Sequence, residues 1–240
     1  MKKLISGLSI LMACLFCLTG CTAVNMRYNT TIEFKFNGKA DFFTMAAIED
    51  TESSSEDSES SAFDIEEQIN ENETVKKLIE EGWKYEPYNQ DGFYGVTVVR
   101  KDIVISEMGD LLREAQPDLF DESHTWTLEK KGFQYVLDTN IFSFVQDSSN
   151  SLAVNMIDND KGYMTLVIKL PSKAINSNAT SVSDDGRTLE WNLLSMNSPN
   201  VHVEFRLINI TQIVGGVIAV LLLIITAFVV FSTREKKRSL

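Results

Sequence analysis

Met26-Arg27-Tyr28-Asn29-Thr30-Thr31-Ile32-Glu33-Phe34-Lys35-Phe36-Asn37-Gly38 decides the fold class. Met26, Tyr28, Thr30, Ile32, Phe34 and Phe36 alternate with Arg27, Asn29, Thr31, Glu33 and Lys35, the period of a strand with one buried face. The spacing predicts that Ile32, Phe34 and Phe36 face a core. Asn37-Gly38 predicts a type I′ hairpin turn, with Ala40 to Ile48 returning as the partner strand.

The same reading extends along the chain. Further strands are expected at Tyr94 to Arg100, Thr125 to Lys130, Phe133 to Val145, Tyr163 to Leu170, Arg187 to Leu193 and Val201 to Leu207. Turns at Lys131-Gly132 and Asp185-Gly186 separate two of the pairs. Helical spacing runs through Ile65, Ile69, Val75, Leu78 and Ile79 and stops at Gly82, a C-terminal cap position. Ser106 is the expected cap of a second helix in which Met108, Leu111, Leu112 and Ala115 share a face before Pro117. Two helices against an antiparallel β-sheet make an α+β domain, with one further, C-terminal helix of a different kind.

That helix is Ile213 to Phe231, nineteen residues without a charge and with only Thr226 polar. At 1.5 Å per residue it would measure about 29 Å, the thickness of a bilayer's hydrocarbon core. Arg234, Lys236, Lys237 and Arg238 against Glu235 alone place the 232–240 tail in the cytoplasm. At the other terminus, Met1-Lys2-Lys3, an apolar run from Leu4 to Leu18 and Leu18-Thr19-Gly20-Cys21 have the order of a secretory signal. The last four residues resemble the lipobox of bacterial lipoproteins, which implies cleavage after residue 20 and lipid on the Cys21 thiol. The expected organisation is a 1–20 signal, a 21–212 extracytoplasmic domain, a 213–231 transmembrane helix and the tail, in a single-pass protein of the cell membrane.

Two short linkers bear on how such a domain would sit. About four residues separate Cys21 from the first strand, at most about 14 Å when extended, and a similarly short run follows Val201 to Leu207. The domain is expected low on the headgroups, with the first and last strands antiparallel if they are neighbours.

Charge and cysteine usage exclude several function classes. Of 22 basic residues, the signal and tail hold six, leaving 16; of 34 acids, only Glu235 lies outside the domain, leaving 33 and a net charge of −17. So acidic a surface repels nucleic-acid phosphate. Cys14 and Cys17 leave with the signal and Cys21 is the lipid site, so no disulfide is expected. Glu49 to Glu73 holds eleven acids and no base. Its 49–62 part is a serine-rich insert expected to be disordered, because it has too little apolar surface to offset its ordering entropy.

Chemistry-bearing residues are few. His124 and His202 are the two histidines, both expected at the surface, with His202 on the polar parity of its strand. No Gly-x-Ser-x-Gly, His-Glu-x-x-His or phosphate loop occurs. Asp158-Asn159-Asp160-Lys161-Gly162 begins like a calcium loop, but its glycine falls one position early and no glutamate occupies the twelfth, so a turn is expected. The sequons at Asn29, Asn72, Asn178 and Asn209 matter only in a eukaryotic secretory pathway. No catalytic residue, cofactor or metal is expected. Phe42, Phe43, Trp83, Tyr85, Tyr88, Phe93, Tyr94, Trp126, Phe133, Tyr135, Phe142, Phe144 and Trp191 are more than a core of this size strictly needs, and Tyr and Trp suit membrane interfaces, sugars and lipids, but most of them are expected in the core.

In order along the chain, Glu81-Gly82-Trp83-Lys84-Tyr85, Gly95-Val96-Thr97 before a helix, Leu170-Pro171, Asn178-Ala179, Asp185-Gly186 and Leu189-Glu190-Trp191 resemble the LppM family of bacterial lipoproteins. So does the layout of signal, lipobox, α+β domain, terminal helix and basic tail, over roughly residues 22 to 232. The acidic serine stretch departs from that pattern as an insertion. The resemblance implies a membrane-tethered binding domain and supplies no catalytic residue. The expectation is a non-enzymatic domain that binds envelope lipid, glycolipid or cell-wall polymer, or else one that docks to another membrane protein.

Overall fold

The computed structural model describes residues 25–49, 73–115, 123–142, 162–196, 198, 200–207 and 213–226. The chain divides into two units, Met1–Leu207 and Ile208–Leu240. In the first unit β1 (Met26–Phe34) and β2 (Lys39–Glu49) form the expected hairpin. Its turn is of another kind, however. The Lys35 carbonyl accepts the Gly38 N–H at 3.2 Å, Lys35 N–H donates to the Lys39 carbonyl at 2.8 Å, and only Gly38, not Asn37, has a positive φ. This is a longer loop closed by a left-handed glycine rather than a two-residue type I′ turn. β1 accordingly stops at Phe34, which is 2% exposed, and Phe36 lies in the loop, 40% exposed instead of in the core.

α1 (Glu73–Glu80) ends as expected. Gly82 takes φ +96°, its N–H reaches the Ile79 carbonyl, and the N–H of buried Trp83 reaches that of Leu78, the two bonds of a Schellman cap. Val75 and Leu78 are buried, but Ile79 is exposed, and Ile65 and Ile69 lie outside the described residues. β3 (Lys84–Gln90) and β4 (Phe93–Val104) follow. Their connection, Asp91-Gly92, has φ +55° and +74° and joins the paired residues Gln90 and Phe93, so it is the type I′ turn that the sequence suggested elsewhere. A 3₁₀ turn (Ile105–Glu107) leads into α2 (Met108–Ala115). Ser106 sits inside that turn and is not a cap.

β5 (Trp126–Lys131), β6 (Gln134–Thr139), β7 (Tyr163–Lys169), β8 (Asn176–Ser177), β9 (Ser181–Val182), β10 (Thr188–Asn192) and β11 (Val201–Arg206) complete the domain. They belong to two sheets: seven strands in the order β3-β4-β2-β1-β7-β10-β9, and four in the order β5-β6-β11-β8. The expected antiparallel sheet is thus corrected to a mixed α+β architecture, because β7 pairs with β1 in parallel, Asn29 opposite Thr165. Parallel neighbours need a long crossover, and more than a hundred residues separate these two. β1 and β11 lie in different sheets, so the first and last strands are not neighbours.

One core joins the inner faces of both sheets. Phe34 of β1 meets Phe205 of β11 at 5.1 Å between ring centres, and Phe42 meets Trp83 edge-on at 5.8 Å. Trp191 is fully buried, and its indole N–H donates to Asn178 Oδ1 at 3.0 Å, so that burial leaves no donor stranded.

In the second unit residues 213–226 are helical with exposed side chains. Among the described residues no helix is long and apolar enough to cross a membrane. Residues 227–231 of the expected span, the tail, the 1–20 signal, Cys21 and residues 50–62 of the acidic insert lie outside the described residues.

Candidate functional site

The outer face of the seven-stranded sheet carries what the alternation leaves there: Arg27 and Asn29 from β1, Phe43, Met45 and Ala47 from β2, Phe93 from β4, Tyr88 from β3 and Tyr163 from β7. An outward face normally reads polar. Here Met45, Ala47 and Phe93 are buried as a second apolar cluster with Tyr88 packed against it. Gly95 lies between Tyr88 and Ala47 in the pairing. A Cβ there would stand 2.0 Å from the Ala46 carbonyl oxygen, so the position admits only glycine.

Arg27 crosses this floor. Its guanidinium lies 3.8 Å from the Phe93 ring centre and 5.9 Å from that of Tyr163, donates to Asp91 Oδ2 at 3.3 Å and has Tyr88 as a further hydrogen-bonding neighbour. Stacking on one ring and bonding at its edge, the planar guanidinium is held as a flat bridge between aromatics. Asn29 Nδ2 donates to Thr165 Oγ1 at 2.7 Å, and Asn25 bonds Glu49, extending a polar rim along β1. Burial raises the Tyr163 phenol above its ordinary value, so it stays a neutral donor. Chemically the arrangement offers aromatic faces beside a cation, carboxylates and amides.

The outer face of the four-stranded sheet is different. His202 Nδ1 meets Asp138 Oδ1 at 2.6 Å and Nε2 meets Glu204 Oε1 at 3.3 Å, while Gln134 donates to Glu204 Oε2. The hydrogen bond to Asp138 raises the His202 imidazole above 6.5. His202 holds the expected polar parity. His124 does not fit expectation: it is 8% exposed, buried rather than on the surface. Asn178, the one sequon residue inside the turn region of β8 and β9, is structural, accepting from Trp191 and from the His202 N–H and donating to the Asn200 carbonyl. The calcium-like 158–161 stretch, Phe144, Asn72 and Asn209 lie outside the described residues. Among the described residues no group of three or more His, Cys, Asp or Glu is placed to hold a metal ion.

Of the aromatic residues singled out in sequence, Phe42, Trp83, Phe93, Phe142 and Trp191 are buried, and Tyr88 flanks Arg27. Arg27, Asp91 and Tyr163 are the residues that sequence reasoning missed. Nothing local points to them, since the β1 and β7 pairing that brings Tyr163 beside Arg27 is remote in sequence.

The fold is thus a mixed α+β domain of two sheets, with an arginine laid over aromatics on the outer face of the larger one. The LppM domain family model matches residues 27–206, and the chain belongs to that family. The chain is similar to the folded domain of the Mycobacterium tuberculosis LppM protein, solved by NMR, at 12% identity and a TM-score of 0.47, over 78% of this chain and 93% of that one. No curated protein matches the sequence.

Proposed function

We propose that this is a membrane-anchored envelope lipoprotein, with lipid on Cys21, a spanning helix at 213–231 and a cytoplasmic tail. Its domain binds the sugar part of envelope glycolipid or cell-wall polymer, without transforming it, on the outer face of the large sheet. The observation that carries this reading is the Tyr88, Arg27 and Tyr163 row over its apolar floor. Sugar rings stack their C–H faces on aromatic rings, and Arg27, Asp91 and Asn29 match hydroxyls at the edge. A ligand fixed in the envelope also gains most from a receptor held at the membrane.

The full chain in mild detergent, titrated with fractionated envelope glycolipid and wall polymer, tests the reading. Tyr163→Ala and Arg27→Ala are each expected to weaken binding about tenfold, the loss of one anchor, and Ser181→Ala to leave it unchanged. Binding to no glycan or lipid fraction, with capture of one membrane protein instead, would move the function to protein docking. Intact mass of the purified chain checks Cys21: a chain starting at residue 21 with added acyl mass is expected.

A further inference from the structure

The β5 and β6 hairpin turns at Gly132-Phe133, with Lys131 paired to Gln134. Phe133 is 75% exposed, more than any other large apolar residue described. Such a side chain at a hairpin tip gains nothing from the fold, and its neighbours are Lys130 and Lys131, both exposed. Gln134 is also paired to Arg206, the last residue of β11. The first unit therefore ends beside this tip, and the second unit contains the helix at 213–226. That helix has no charged residue, and its one polar side chain, Thr226, turns its hydroxyl back onto the Leu222 carbonyl at 2.8 Å.

The tip is held firmly. Phe205, one residue before Arg206, stacks on Tyr135 at 5.9 Å, and the Arg206 carbonyl accepts the Ser172 hydroxyl at 2.6 Å. Its position is therefore fixed relative to the point where the chain exits.

We infer that the Lys130 to Phe133 tip, together with Arg206, docks on the surface of an anionic phospholipid bilayer, Phe133 entering the headgroup layer and the three cations meeting lipid phosphates. The charge of the chain supports this occupant. A chain of net charge −12 is repelled by an anionic surface as a whole, so only an end carrying local cations beside an apolar side chain can approach. Cations flanking an exposed aromatic are the side-chain set of a membrane interface. The inference rests on the anchored part of the proposed function, and not on its glycan site, which lies on the other sheet.

The test reconstitutes the full chain in phosphatidylcholine vesicles with and without phosphatidylglycerol and reads tryptophan quenching by brominated acyl chains. Phe133→Trp is compared with Asn89→Trp, on the edge strand β3 of the other sheet, and both with the unsubstituted chain. Quenching several-fold stronger at 133 than at 89, present with phosphatidylglycerol, reduced by salt and abolished by adding Lys130→Glu and Lys131→Glu, is the expected result. Equal quenching at the two positions in a chain that stays with the vesicles in alkaline carbonate would overturn the docking alone. Release of the chain by carbonate would overturn the anchoring, and the docking with it.

Discussion

The two sheets share one core and treat their outer faces oppositely. The four-stranded sheet turns out Asp138, His202 and Glu204, which bond one another, and Glu129, which pairs with Lys131. The seven-stranded sheet buries Met45, Ala47 and Phe93 on its outer face and lays an arginine across them. An outer face that is merely solvated needs no apolar floor. The difference teaches that the same alternation can leave an outer face either as paired polar groups or as a second apolar floor beneath a cation.

The strongest test of the shared core is Phe34→Ala against Phe205→Ala, one residue from each sheet. Each is expected to cost about 3–5 kcal/mol by denaturant unfolding, in a single transition; two separate transitions would show that the sheets are independent. Next is Gly95→Ala, where the new Cβ meets the β2 backbone. About 2–3 kcal/mol is expected, together with loss of any glycan binding, since β2, which carries Met45 and Ala47 of the floor, must then shift. A neutral result would mean that the outer face is looser than its contacts imply.

A smaller effect is expected on the other outer face. The His202 imidazole is raised by its bond to Asp138, so the pair stabilises the charged form. The contribution is fully present below about pH 6.5 and is lost as pH rises through the raised value. With His202 half-buried and Asp138 exposed it amounts to about 1 kcal/mol at most. Asp138→Asn should flatten the stability difference between mildly acidic and alkaline buffer; an unchanged difference would assign it to other groups. The smallest effect belongs to Phe36→Ala, expected below about 1 kcal/mol against the much larger loss at Phe34. Equal losses would restore Phe36 to the core.

What was legible in the sequence was local. Alternation in β1 as far as Phe34 and in β11 gave the correct buried parity, β2, β7 and β10 were expected about where they lie, and Gly82 gave the helix end. Phe36 misled because the alternation continues past the residue at which the pairing stops. β3 went unread because Lys84 to Gln90 has no apolar alternation and contains Pro87, which an edge strand tolerates where a central one does not. Asp91-Gly92 was the available clue, and it proved to be the true type I′ turn. His124 and the Arg27 row were illegible for another reason: burial and neighbours there are set by pairings across long sequence distances.

The parallel pairing of β1 with β7 also governs the order in which the domain can form. Asn29 and its partner Thr165 are 136 residues apart. The first hairpin closes quickly from local contacts, yet one edge of β1 stays open until β7 has been made and its long loop closed. During that interval the nascent protein exposes the row of unpaired N–H and C=O groups that in the finished fold lies at the centre of its sheet, a row onto which another chain can add. The slow step in making this protein is expected to be the closing of that gap, and the hazard at that step is a neighbouring copy reaching β1 before β7 does.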